Sequence, residues 1–68
     1  MSKREGKEPV IIEYDAIITE AETAKAWLLQ IEGEEIWFPK SICILDEDDS
    51  TIEAPKWLAD EKNVEYSY

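Results

Sequence analysis

The sequence predicts a mainly β fold, a small SH3-like or OB-like antiparallel barrel of about five strands with one short C-terminal helix. Three observations lead there. Short runs rich in β-branched and aromatic residues recur along the chain, as in VIIEYDAIIT and EIWFP. Polar turns of hairpin length separate them, too short for the crossovers that parallel strands need. Only the stretch after Pro55 carries a helix-start signal. Curling such a meander into a barrel removes exposed sheet edges.

The elements follow in order. Residues 1–9 form a charged segment closed by Pro9, expected to be a flexible tail, and residues 10–68 form the single domain. The first strand spans VIIEYDAIIT, with Ile12, Tyr14, Ala16 and Ile18 on one face and Glu13 and Asp15 on the other. AKAWLLQI makes the second strand. EGEE turns the chain, because Gly33 can take the positive φ of a tight hairpin. EIWFP is the third strand and ends at Pro39, which has no N–H for a ladder. ICIL is the fourth strand, DEDDS a surface turn and STIEA the fifth strand. A helix is predicted from Pro55 to Lys62, ended by Asn63 in the left-handed conformation, with VEYSY as a closing strand.

Composition narrows the chemistry. Hydrophobic residues make up 44% of the 68-residue chain, too much apolar surface for a disordered acidic tail. There is no histidine, and Cys43 is the one cysteine, so neither a disulfide nor a zinc cluster can staple the fold. Cys43 between Ile42 and Ile44 reads as a buried small hydrophobe in a reducing compartment. The opening MSKREGKEP has no apolar core of a signal peptide, and no run approaches the ~18 apolar residues of a membrane span. A soluble, cytoplasmic protein without cofactor or membrane partner is expected.

Net charge is -10 and unevenly spread. The first nine residues set Lys3, Arg4 and Lys7 against Glu5 and Glu8, whereas the remainder holds four lysines, Lys25, Lys40, Lys56 and Lys62, and fifteen acids. Such a body repels phosphate backbones and attracts basic surfaces, although charge also serves solubility alone. Catalysis is not expected. The serines and Cys43 lack a histidine base, and so short a chain has little wall for a substrate cleft. The run Asp46, Glu47, Asp48, Asp49 lacks the alternating ligands and central glycine of a calcium loop and reads as a solvated turn.

Two further groups of residues attract attention. Lys25, Trp37 and Lys40 place sparse lysines beside an aromatic, a pairing that in barrels stacks bases and holds phosphates; the simpler reading puts Trp27, Trp37 and Trp57 in the core. Glu13, Asp15, Glu32, Glu34, Glu35 and Asp46 to Asp49 together suit a basic groove on another protein.

The layout ETAKAWLLQIEGEEIWFPKS followed by IEAPKWLADEKNV resembles a family of small uncharacterised proteins of prokaryotes and their viruses. The resemblance covers residues 19 to 64 and rests on Thr23, Lys25, Gly33, Trp37, Pro39, Lys40, Ser41, Trp57 and Leu58, centred on a Trp-x-Pro-Lys-Ser step. It implies a viral or mobile-element context and carries no established activity.

The expectation from sequence is a non-enzymatic module that binds another macromolecule, foremost a protein. Trp37, Lys40 and Ser41 would make the contact, with Asp46, Glu47, Asp48 and Asp49 as an electrostatic rim. The alternatives are an acidic nucleic-acid mimic that inhibits a nucleic-acid enzyme, and a nucleic-acid-binding barrel using Lys25, Trp37 and Lys40.

Overall fold

The computed structural model describes residues 6–68. Strands β1 (Pro9–Glu13), β2 (Ala16–Ile17), β3 (Ala26–Ile31), β4 (Glu34–Pro39), β5 (Ile44–Asp46) and β6 (Thr51–Pro55) precede one helix, α1 (Lys56–Lys62). They form two antiparallel three-stranded sheets, ordered β1-β6-β5 and β2-β3-β4. The fold is thus mainly β with a short C-terminal helix. Among the described residues no ladder joins β4 to β5, and the ladders of the two sheets meet where β1 runs into β2.

That junction divides VIIEYDAIIT, which alternation alone predicts as one strand. The Tyr14 N–H donates to the Ser50 carbonyl at 3.0 Å, extending the β1–β6 ladder, whereas the Asp15 N–H donates to the Gln30 carbonyl at 2.7 Å and opens the β2–β3 ladder. Changing partner between consecutive residues forces a corner. The alternation therefore holds through Val10, Ile12 and Tyr14 and then slips: Ala16, expected inside, is exposed, and Ile17 packs against the core. Thr19 lies in a 3-10 turn (Thr19–Ala21) that follows β2, not in a strand.

The β3–β4 hairpin turns at Gly33 as predicted, but through two residues rather than the four of EGEE, with Glu32 at φ 52° and Gly33 at φ 84° and with β4 starting at Glu34. Positive φ at both central residues is what a type I′ turn needs to match the twist of its strands. Glycine takes it freely, whereas Glu32 does so against its Cβ. In the next segment Ile42 and Cys43 fall outside β5, which runs on to Asp46. Helix α1 starts after Pro55 and ends at Asn63, φ 59°, as its residues predict. The expected closing strand reduces to one bridge, Ser67 to Ile11.

Of the charged segment 1–9, residues 1–5 lie outside the described residues. The rest is held to the helix start: the Gly6 carbonyl accepts from the Trp57 N–H at 2.7 Å and the Glu8 carbonyl from the Lys56 N–H at 2.9 Å. Gly6, at φ 84°, permits this approach, since an added Cβ would stand 3.1 Å from the Trp57 Cβ.

The core lies between the sheets. Val10, Ile12, Ile52 and Ala54 come from one, Leu29, Ile31 and Phe38 from the other, and Leu58 and Ala59 of α1 cover one end. Each large side chain buried here contributes about 1.5–3 kcal/mol. The tryptophans do not fill the core as expected. Trp27 packs at its margin, but Trp37 and Trp57 are 42% and 45% exposed. Register is the reason for Trp37: its neighbour Phe38 points inward, so Trp37 must point out.

Two stability tests follow. Ile52→Val should cost about 0.5–1.5 kcal/mol in urea unfolding read by tryptophan fluorescence, whereas Phe38→Ala, at about 3–5 kcal/mol, should leave so small a domain largely unfolded. Glu32→Asn should stabilise by roughly 0.5–1 kcal/mol, because asparagine accepts positive φ at this turn position; a lower Tm would contradict the type I′ assignment.

Candidate functional site

Of the two lysines expected at a binding surface, Lys40 is engaged through its ammonium and Lys25 through its backbone. The Thr23 hydroxyl accepts from the N–H groups of Lys25 and Ala26 at 3.2 and 3.1 Å, which sets the chain into β3. The Lys40 N–H then donates to the Lys25 carbonyl at 2.8 Å, closing the β3–β4 ladder at this end. The Lys40 ammonium pairs with Glu22 and sits 5.4 Å from the centre of the Trp27 ring, a cation–π arrangement. Trp37 lies on the opposite face of the sheet from Trp27, and Ser41 is exposed in the turn beyond Lys40. Lys25, Trp37 and Lys40 are therefore not gathered into one stacking platform.

Lys56 is engaged too, pairing with Asp60 at 3.1 Å one helical turn on, while the Tyr66 hydroxyl donates to the other Asp60 oxygen at 3.1 Å. Hydrogen bonding to Asp60 raises the Lys56 pKa, and the same bond lowers that of Asp60. Tyr66 is raised by desolvation and by its bond to Asp60. This clasp holds the C-terminal segment against α1.

The acids behave differently. The Asp15 carboxylate accepts from the Glu32 N–H at 3.0 Å, so the tip of the β3–β4 hairpin leans on the β1–β2 corner. The β5–β6 loop meets the same corner through the Tyr14–Ser50 bond. Within that loop one Asp46 oxygen accepts from the N–H groups of Asp48 and Asp49 at 3.1 and 3.2 Å, and Ser50 takes φ 57° to re-enter the ladder. Asp46 thus shapes the turn, leaving Glu47, Asp48 and Asp49 exposed. Burial raises the Tyr14 phenol pKa, and the negative charges of Glu47 and Asp46 add to the shift.

Glu13, Asp15, Glu32, Glu34 and Asp46 to Asp49 are consequently brought to one end of the molecule, with Glu35 next along β4. Both ion pairs found among the described residues, Lys40–Glu22 and Lys56–Asp60, lie elsewhere. Beside this end a cleft of about 300 Å³ runs between the outer edge of β1 and the C-terminal segment. Ile11 and Ile31 give it an apolar lining, and Glu13, Asp15, Glu32 and Glu65 supply carboxylates. Sequence reasoning named the first three acids but missed Glu65 and the cleft itself. Its wall depends on the Ile11–Ser67 bridge, a contact between the two ends of the domain that no local pattern announces.

Trp37 belongs to a second feature. It stands opposite Leu28 on the outer face of β2-β3-β4, and the Ile18 N–H donates to the Leu28 carbonyl at 2.9 Å. Ile18, Leu28 and Trp37 thus line up across the sheet as one apolar row on this face, in which Leu28 is only 6% exposed.

Cys43 is buried, as expected from its neighbours. Burial pushes its pKa up to about 11, opposed in part by the positive charge of Lys62. A protonated, covered thiol is a poor nucleophile at neutral pH. Comparison with known proteins finds no family model that matches this chain, and no similar curated protein or solved structure.

The thiol gives a direct check. At pH 8 a thiol reagent should modify native Cys43 far more slowly than the urea-unfolded chain. Because the native state holds this proton more tightly than the unfolded state, the contribution of Cys43 to stability should also decline as pH rises from about 9 toward 11.

Proposed function

We propose that this chain is a non-enzymatic protein-binding module whose acidic end docks on a basic surface of its partner. The observation that carries this reading is the convergence of three chain reversals, the β1–β2 corner and the tips of the β3–β4 and β5–β6 hairpins, which gathers carboxylates at one end. Like charges held together repel one another and weaken the fold, so a partner's cations have a favourable role there. The neighbouring cleft suits the basic side chain of such a partner, with its aliphatic stem against Ile11 and Ile31 and its charge among Glu13, Asp15, Glu32 and Glu65.

The scaffold is read as an open SH3-like or OB-like barrel, its two sheets sharing the β1–β2 chain. The setting is a reducing one, the cytoplasm of a prokaryotic cell, where lone Cys43 stays a thiol. Direct binding of nucleic acid is disfavoured, because Lys40 is committed to Glu22 and Trp27 and the facing acids repel phosphate. The same charge favours one special case of the reading, in which the partner's basic surface is a nucleic-acid groove and the chain acts as a mimic.

Affinity capture from prokaryotic lysate, with and without nuclease, tests this. A partner should survive nuclease and bind at least about tenfold more weakly to a variant carrying Glu47→Gln, Asp48→Asn and Asp49→Asn, whose Tm is unchanged. Asp46 is left intact because it shapes the loop. Loss of every partner with nuclease would overturn the reading. Displacement of the captured protein by duplex DNA would single out the mimic.

A further inference from the structure

The open edge of β4 supplies a specific mode for that docking. The two-residue turn fixes Ile31 and Glu34 as a hydrogen-bonded pair, and the Lys40–Lys25 bond confirms the phase at the other end. Ile36 and Phe38 therefore direct their backbone groups to β3, whereas Glu35 and Trp37 direct theirs outward. Among the described residues no strand pairs with that side of β4. The other open edges among the described residues are shorter: β2 has two residues, and β5 has three, of which only Leu45 at its centre faces out.

Chemistry along the β4 edge says what it would accept. Glu34 and Glu35 are exposed near one end, Trp37 at 42% exposure stands in the middle, and Pro39 closes the other end without an N–H. Acids and proline on an edge oppose pairing with another copy of the same chain, and the net charge of -10 reinforces that repulsion. The same acids favour a strand of opposite charge.

We infer that a partner adds an extended segment of alternating basic and apolar residues to the open edge of β4. Its backbone pairs with Glu35 and Trp37, its apolar side chains extend the outer row of Leu28 and Trp37, and its basic side chains, on the other face, meet Glu34. This mode rests on the protein-binding reading above and assigns Trp37 its role: one wall for the incoming strand.

The test uses the ¹⁵N-labelled full chain and a short capped peptide alternating lysine and valine. Its control is the same peptide N-methylated at every residue, which keeps charge and side chains but removes every ladder donor. The unmethylated peptide should shift the amide signals of Glu35 and Trp37 and slow their exchange with solvent, leaving exchange at Ile36 and Phe38 little changed. The methylated peptide should bind at least tenfold more weakly. Equal binding by both, or shifts confined to Glu47, Asp48 and Asp49, would overturn strand addition and leave the acidic-surface reading standing. Binding by neither peptide would overturn strand addition as well. The lysate capture fails or succeeds independently, since it reads the effect of the loop charges rather than edge pairing.

Discussion

The exchange of partners at Tyr14 and Asp15 is the constraint on which the rest of the molecule depends. One N–H continues the ladder to β6 and the next begins the ladder to β3, so a single stretch of chain belongs to both sheets. With no ladder between β4 and β5, this corner is where the hydrogen-bonded ladders of the two sheets meet on one stretch of chain, and the shared core packs between them. The core residues Ile12 and Tyr14 lead into the corner, and Ile17 leaves it on the inner side. A domain of this size has little core to spare, and misplacing the corner by one residue would turn the following strand inside out.

The same corner organises the electrostatics. Because both hairpin tips return to it, the acids that flank each turn arrive together. Turn chemistry selects polar residues at these places, and here the polar residues are nearly all acidic. Asp15 bonds to the amide of Glu32 and Asp46 to those of Asp48 and Asp49, so two carboxylates are spent on local geometry while their neighbours face solvent. At the far end of β3 and β4, Lys40 is tied to Glu22 and Trp27. Among the described residues, charge is therefore ion-paired at one end of β3 and β4, and the acids at the other end have no ion-pair partner.

The open edge of β4 and the covered edge of β1 show how differently two edges can be managed. At β1 the C-terminal segment supplies Ser67 as a bridging partner and is itself held by the Lys56, Asp60 and Tyr66 clasp. At β4 charge and proline take the place of a covering segment. Trp37 lies on the outside of the sheet beside that edge.

The local features were legible in short stretches of residues. Hairpin turns at Gly33 and at Asp46 to Asp49, the helix between Pro55 and Asn63, the mainly β class and the burial of Cys43 all follow from preferences of a few adjacent residues. The acids named from sequence are brought to one end by the fold, but Glu65 joins them through the C-terminal segment. Phase and partnership came instead from contacts between distant segments. VIIEYDAIIT reads as one uninterrupted strand because alternation carries no mark of where a strand changes partner, and the resulting slip exposes Ala16. Trp37 looks like core by composition, yet the inward turn of Phe38 sends it outward. Lys40 looks available until Glu22, eighteen positions earlier, is folded against it. Local sequence fixes which way a backbone prefers to bend, but long-range pairing alone fixes which face a side chain shows and which charge it meets.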